Sequence, residues 1–429
     1  MTRGLKKTVS SIALATAAGL MASSAMAADL GGNCCADLEE RVAELEATAA
    51  RKGNRKVSLT ISGQVNKAVM FWDDGHDSDT YVVDSDFSST RFQLSGSANI
   101  TPDLVAGYVL VFEAQFNGAS NKVNQFDDDA GEAQSLLERH NYVYLSHARL
   151  GKVSLGQVSA GADDITSVIP VSLVSFGTDN MFNAGGGMFI RGANGGYSPL
   201  TWGSVFFNSG DGPRLNAVRY DTPTLAGFML SATLGEDDYW DVALRYAGEF
   251  NGVRVAAGVA YQEYDDELTD GQEVTAVGAS GGIHHVPSGL FVYGTFSHAD
   301  DESALSISKH ARTKDVSWTA GGGWTGNLLP YGAFTVWGEY GQGNAGSLNE
   351  GEGGIFSSPY QYIRSVDTSH ITLGISQAID AAAMDLYLVY RHHKIDDIDV
   401  RGKYTNNPYD PLTDAEDLDV VMAGARIKF

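Results

Sequence analysis

From Lys56 to the last residue, apolar and polar side chains alternate with a period of two, the spacing of a strand with one face in each of two environments. Val57, Leu59, Ile61, Val65 and Val69 stand against Ser58, Thr60, Ser62, Gln64 and Asn66. Phe92, Leu94, Ala98 and Ile100 stand against Arg91, Gln93, Ser95, Ser97 and Asn99, and Met384, Leu386, Leu388 and Tyr390 against Asp385, Tyr387, Val389 and Arg391. At the C-terminus Val421, Ala423, Ala425, Ile427 and Phe429 oppose Arg426 and Lys428. The pattern predicts about sixteen strands, near 57–70, 90–100, 104–116, 138–147, 152–158, 214–221, 225–234, 238–248, 253–263, 273–284, 289–298, 315–325, 332–341, 368–379, 383–393 and 418–429. Several are close to the ~10 residues with which a tilted strand crosses a bilayer.

The links sort by parity. Every second one is short, as in Thr101-Pro102-Asp103, Phe250-Asn251-Gly252 and Asp380 to Ala382, whereas the others are mostly long and acidic. Phe71 to Ser89, Asn117 to Leu137, Ser159 to Pro213 and Gln342 to Asp367 are of the second kind, and the tight Gly235-Glu236-Asp237 link is an exception. Short turns on one side and long loops on the other predict an all-β, 16-stranded antiparallel transmembrane barrel. Lipid offers no partner to a sheet edge, so the sheet must close, and sixteen strands enclose water rather than a packed core. Phe71-Trp72, Tyr239-Trp240, Trp318, Trp324 and Tyr331 near strand ends suit interfacial aromatic girdles.

Before the strands the periodicity is helical. Leu38, Val42, Leu45 and Ala49 recur at heptad spacing within Ala36 to Arg51, with Glu39, Glu40, Glu44 and Glu46 off the seam. Two heptads are short for an isolated coiled coil. The segment is either an amphipathic helix in a linker or a short bundle between neighbouring subunits. Ahead of it, Arg3, Lys6 and Lys7, the apolar Ile12 to Met21 and Ala25-Met26-Ala27 have the form of an export signal. The expected divisions are a signal peptide at 1–27, a periplasmic helical segment at 28–55, and a barrel at 56–429 whose long loop 159–213 folds inward.

Composition narrows the function. Of 429 residues 50 are Gly, above the usual ~7 %. The net charge of −24 argues against any nucleic-acid partner, which a basic stripe would have to grip. The only cysteines, Cys34 and Cys35, are adjacent and preceded by Gly31-Gly32-Asn33, so neither a disulfide framework nor a lipid anchor is expected. Enzymatic signals are missing. His284-His285 and His392-His393 are adjacent pairs, which on a strand face opposite ways, and Gly185-Gly186-Gly187 lacks the lysine and hydroxyl of a phosphate loop. No cofactor, metal or catalytic residue is expected.

The long loop carries Asp163, Asp164, Asp179 and Asp211 with Arg191 as its lone basic residue, and these are the candidates for a pore constriction. Arg91, Glu113, Arg245, Arg254 and Arg391 phase to the water side and are candidate wall charges. An acidic loop facing a basic wall would set up a transverse field.

The chain resembles the trimeric general porins of alphaproteobacteria. The resemblance rests on Cys34-Cys35-Ala36-Asp37-Leu38-Glu39-Glu40-Arg41-Val42, on Arg51 to Thr60 followed by Ser62-Gly63-Gln64-Val65, and on Asn216-Ala217-Val218-Arg219-Tyr220-Asp221-Thr222-Pro223 with Gly227-Phe228. It implies a homotrimer in the bacterial outer membrane, in contact with lipid and lipopolysaccharide, passing small hydrophilic solutes and ions by passive diffusion. The third loop would narrow each pore. Phe429 matches the terminal aromatic that the barrel-assembly machinery reads as an assembly signal. The Pro-Glu-Phe-Gly-Gly loop signature of some relatives is absent, so no single constriction residue is carried over. A substrate-selective channel and a structural or adhesive barrel are the alternatives.

The helix makes the two readings of its segment separable. If Leu38, Val42 and Leu45 form an intersubunit seam, replacing all three by Ser lowers the melting temperature of the oligomer while single-pore conductance is kept. An unchanged melting temperature assigns the segment to a linker.

Overall fold

The computed structural model describes residues 56–429 except 116–117, 131–134, 168–182, 206–209, 237, 267–271, 302–312, 346–360 and 403–413. The helical segment and the export signal lie outside the described residues. In chain order the first strands are β1 (Thr60–Asp73), β2 (Ser78–Asp84), β3 (Arg91–Thr101), β4 (Leu104–Gln115), β5 (Ser135–His147) and β6 (Gly151–Ser159). A small hairpin follows, β7 (Phe189–Arg191) and β8 (Tyr197–Thr201), then β9 (Arg214–Asp221), β10 (Phe228–Gly235), β11 (Trp240–Phe250), β12 (Val253–Asp266) and β13 (Gln272–His285). The last are β14 (Leu290–Asp301), β15 (Lys314–Leu329), β16 (Gly332–Ala345), β17 (Gln361–Ile379), β18 (Met384–Gly402) and β19 (Leu418–Lys428).

Neighbours in the sheet are antiparallel, and β1 pairs with β19 from Gln64↔Lys428 to Asp73↔Asp419, which closes the ring. Seventeen segments fill sixteen places. The start of β1 pairs with β3 (Thr60↔Ser95 to Gln64↔Arg91), and the rest with β2 (Lys67↔Asp84 to Asp73↔Ser78). Thus β2 and β3 are one wall strand interrupted at 85–90. Here the sequence reading needs correction, because much of Phe71 to Ser89 is strand rather than loop. Tyr81 and Val83 continue the inward set while Val82 is 65 % exposed on the outer side. Both β17 and β18 are also longer than their predicted spans, at 19 residues each.

The two faces follow the alternation. Ser231, Thr233, Asn66, Thr335 and Thr372 are buried inside, whereas Leu230, Leu234, Val292, Leu373 and Ile427 are exposed outside, where acyl chains cover them. Period two also allows only one residue of an adjacent aromatic pair to face lipid. Phe71 is therefore exposed, while Trp72 and Tyr239 turn inward and are no part of a girdle. Trp318 and Tyr331 are exposed as a girdle requires.

The interior is not uniformly polar. Met70, Trp72, Tyr81 and Val83 pack with Val389, Leu418, Val420 and Met422, and the long connection adds Met188, Ile190, Trp202 and Val205. One sector of the barrel thus holds an apolar core between wall and loop.

Closure is tight at the chain end. Gly63 N–H donates to the Phe429 carbonyl at 2.8 Å, and Phe429 N–H donates to the Gly63 carbonyl at 3.0 Å. A Cβ on Gly63 would meet the Phe429 ring at 2.7 Å and the Arg91 carbonyl at 2.6 Å. Replacing Phe429 by Asp puts a charge at this outward position, and is expected to lower the outer-membrane level several-fold without an equal drop in precursor. Heat-modifiable barrel at the wild-type level would refute this.

Candidate functional site

After β6 the chain turns along the polar face of the wall. Gly161 N–H donates to Thr233 Oγ1 and Ala162 N–H to Asp241 Oδ2, both at 2.7 Å. Arg245 then donates from Nη1 to the Gly161 carbonyl and from Nη2 to the Asp163 carbonyl, again at 2.7 Å. Ser280 Oγ donates to the Ile165 carbonyl at 2.5 Å. Ile165 is fully buried and packs with its neighbour Ala162 and with Ala243 and Ala260, small wall residues that leave room for it. The returning chain is tied to the outgoing one, because Thr166 donates from N–H (2.8 Å) and Oγ1 (2.7 Å) to the Asp211 carboxylate.

These bonds place the acidic candidates. Asp163 is 8 % exposed and meets Arg214 Nη2 at 3.2 Å. Burial raises its pKa to about 6, Asp164 beside it pushes the same way, and Arg214 opposes both. Asp164 is exposed and sits at φ 57°, left-handed backbone that lets the carbonyl of Asp163 turn to Arg245. Asp211 serves as an internal tie. Asp179 lies outside the described residues.

The wall beside Asp163 is basic. Arg91 on β3 donates to Ser88 Oγ at 3.1 Å, and Arg139 on β5 pairs with Glu113 of β4 at 2.9 Å. Arg219 on β9 pairs with Asp221 at 2.8 Å and donates from Nη1 to the carbonyls of Ser159 and Ala160. Arg91, Glu113 and Arg245 are thus gathered with Asp163 and Asp164, and Arg139, Arg214 and Arg219 join them.

Other candidates stand elsewhere. Arg254 pairs with Glu249 at 3.0 Å, both well exposed beside the short Asn251-Gly252 turn. Arg391 is on the inner face but fully buried, 5.4 Å from the Phe87 ring centroid, within the apolar sector. Arg191 pairs with Asp77 at 2.9 Å and lies 4.0 Å from the Tyr197 ring centroid, so it ties the β7–β8 hairpin to the first hairpin.

Sequence reasoning missed three of the gathered arginines. Arg139 falls at a bulge, where pairing jumps from Val111↔His140 to Phe112↔Glu138 and the parity count fails. Arg214 stands at the first position of β9, before alternation is established. Arg219 was legible, because it shares the inward set with Leu215, Ala217 and Asp221. The result is a cluster of fixed charges of both signs on the inner side of a closed barrel. Among the described residues no three His, Cys, Asp or Glu side chains are placed to hold a metal.

The sequence model of a family described as Gram-negative porin matches residues 12–425. No curated protein matches. Among solved structures, an anion-selective porin from Comamonas acidovorans is 18 % identical, over 87 % of this chain and 100 % of that one, with a TM-score of 0.55. OmpF of Salmonella typhi, in complex with daunomycin, is 14 % identical over 87 % of this chain and 98 % of its own, with a TM-score of 0.50. The outer-membrane channel DcaP of Acinetobacter baumannii is 12 % identical over 89 % of this chain and 100 % of its own, also at 0.50. At these identities the likeness is one of fold.

The buried carboxyl gives a direct test. Asp163 should titrate near pH 6 by carboxyl NMR or infrared in detergent, neutral below and charged above, against ~3.9 for an ordinary aspartate. Arg214→Gln should raise that midpoint and Asp164→Asn should lower it. A native midpoint near ~4 would contradict the burial of this group.

Proposed function

The chain belongs to the Gram-negative porin family, and from that premise we propose how its long loop and basic wall set permeation. The protein is an outer-membrane porin, a water-filled channel for passive diffusion of small hydrophilic solutes and ions. The observation that carries the proposal is the clamp of Arg245 on the carbonyls of Gly161 and Asp163, beside the Asp163–Arg214 pair. It supports a constriction formed by loop 159–213, with Asp163 and Asp164 facing Arg91, Arg139, Arg214 and Arg219. Arg245 acts there as a positioning residue, since two of its donors hold loop backbone.

In the same proposal the porin is a homotrimer of the alphaproteobacterial type, exported by the signal at 1–27 and inserted through Phe429. Cleavage would remove Arg3, Lys6 and Lys7 and no acid, taking the net charge from −24 to −27. The gathered charges nearly balance: Arg91, Arg139, Arg214, Arg219 and Arg245 against Glu113, Asp163, Asp164, Asp211, Asp221 and Asp241. The acidic mouth then tips the potential, and salt screens it over ~8 Å at ~0.15 M. A weak preference for cations follows, strongest in dilute salt.

Reversal potentials in planar bilayers under a KCl gradient test this. Neutralising Asp163 and Asp164 together should reduce cation preference more than neutralising Asp265, Asp266 and Glu267. Equal effects of the two sets would mean that the loop does not line the narrow section.

A further inference from the structure

The inner face of β4 departs from a polar lining. On β4 the inward set is Val105, Gly107, Val109, Val111 and Glu113, opposite Asn99, Ser97, Ser95, Gln93 and Arg91 of β3. On its other flank Val105, Gly107, Val109 and Val111 lie opposite Ser146, Tyr144, Tyr142 and His140 of β5. The outward set of β4 (Ala106, Tyr108, Leu110, Phe112) is apolar too, as lipid requires, so this strand is apolar on both faces. Val105, Val109, Tyr142 and Tyr144 are half-buried. Gly107 leaves the space in which the Tyr144 ring lies flat against the wall.

This strip is bordered by cations. At its upper end are Arg91 and the Arg139–Glu113 pair, and beside Tyr144 the Lys152 ammonium stands 5.9 Å from the ring centroid. Val109 is four residues from Glu113, about 13 Å along the strand, a span that a guanidinium side chain and an aromatic acid fill between them. An apolar surface facing water next to fixed positive charge favours a ligand with both characters.

We propose that the inner face of β4 and β5 is a binding site for small amphipathic carboxylates, with the ring or branched chain on Val109, Val105, Tyr142 and Tyr144 and the carboxylate on Arg91 and Arg139. The proposal rests on the reading of the protein as a channel and adds to it a class of preferred solute. Such acids pause on the strip after the constriction, where purely hydrophilic anions do not.

The experiment is block of single-channel KCl current in planar bilayers by sodium benzoate, sodium acetate or benzyl alcohol, each read as a fraction of that variant's own current. Benzoate should block at about tenfold lower concentration than acetate, the gain expected from covering one ring face. Benzyl alcohol, lacking the charge, should not block. Val105→Ser with Val109→Ser should bring benzoate to the level of acetate, and Tyr142→Ser alone should do so in part, should the double variant fail to insert. Arg91→Gln should weaken both acids. Equal block by benzoate and acetate in the native protein overturns the site, as does block by benzyl alcohol equal to that by benzoate. Block that emerges only after deletion of residues 28–55 would assign the strip to that segment of the chain and overturn it too. Absence of KCl current from native protein would instead defeat the channel reading itself.

Discussion

A strand in lipid has no solvent to satisfy its backbone, so each N–H and C=O must be met by another strand, and an unmet group costs several kcal/mol. The seam between β1 and β19 is where that demand is last satisfied. Ten paired positions, with Gly63 and Phe429 exchanging amide and carbonyl at the end, convert an edge-bearing sheet into a ring. Much else depends on it. Once the ring is closed, inside and outside differ, alternation acquires a meaning at each residue, and both ends of the sheet lie on the rim of short turns.

The same alternation made the strands legible. All sixteen predicted segments correspond to places in the wall, since each needs only a repeated choice between lipid and water. The failures fall where that choice lapses. Above the lipid, strands continue as polar ribbons, so β17 and β18 run past their apolar residues, and β2 lies within an acid-rich stretch that looks like a loop. Inward-facing Met70, Trp72 and Met422 obey the phase but serve an apolar contact with the loop that no local pattern announces.

The gathered charges were legible only in part, for a different reason. The loop is fixed largely through its own carbonyls and amides, and a backbone acceptor has no residue type. Arg245 could be phased to water from sequence, yet its role as a clamp depends on the carbonyls of Gly161 and Asp163. Arg391 phases identically and ends in a buried sector, where the Phe87 ring from the break between β2 and β3 meets its guanidinium. Phase predicts direction, whereas the neighbour met in that direction is set by tertiary packing.

The apolar sector between the first strands, the last strands and residues 184–205 has a geometric corollary. Strand number fixes the circumference of a barrel, and circumference bounds the area available to an electrolyte. A filled sector subtracts from that area on the side where it lies, which displaces the water column away from it. Ohmic resistance is then governed by the crescent that remains rather than by the circle that sixteen strands enclose. Two barrels of equal strand number would differ in conductance by the size of such a sector alone.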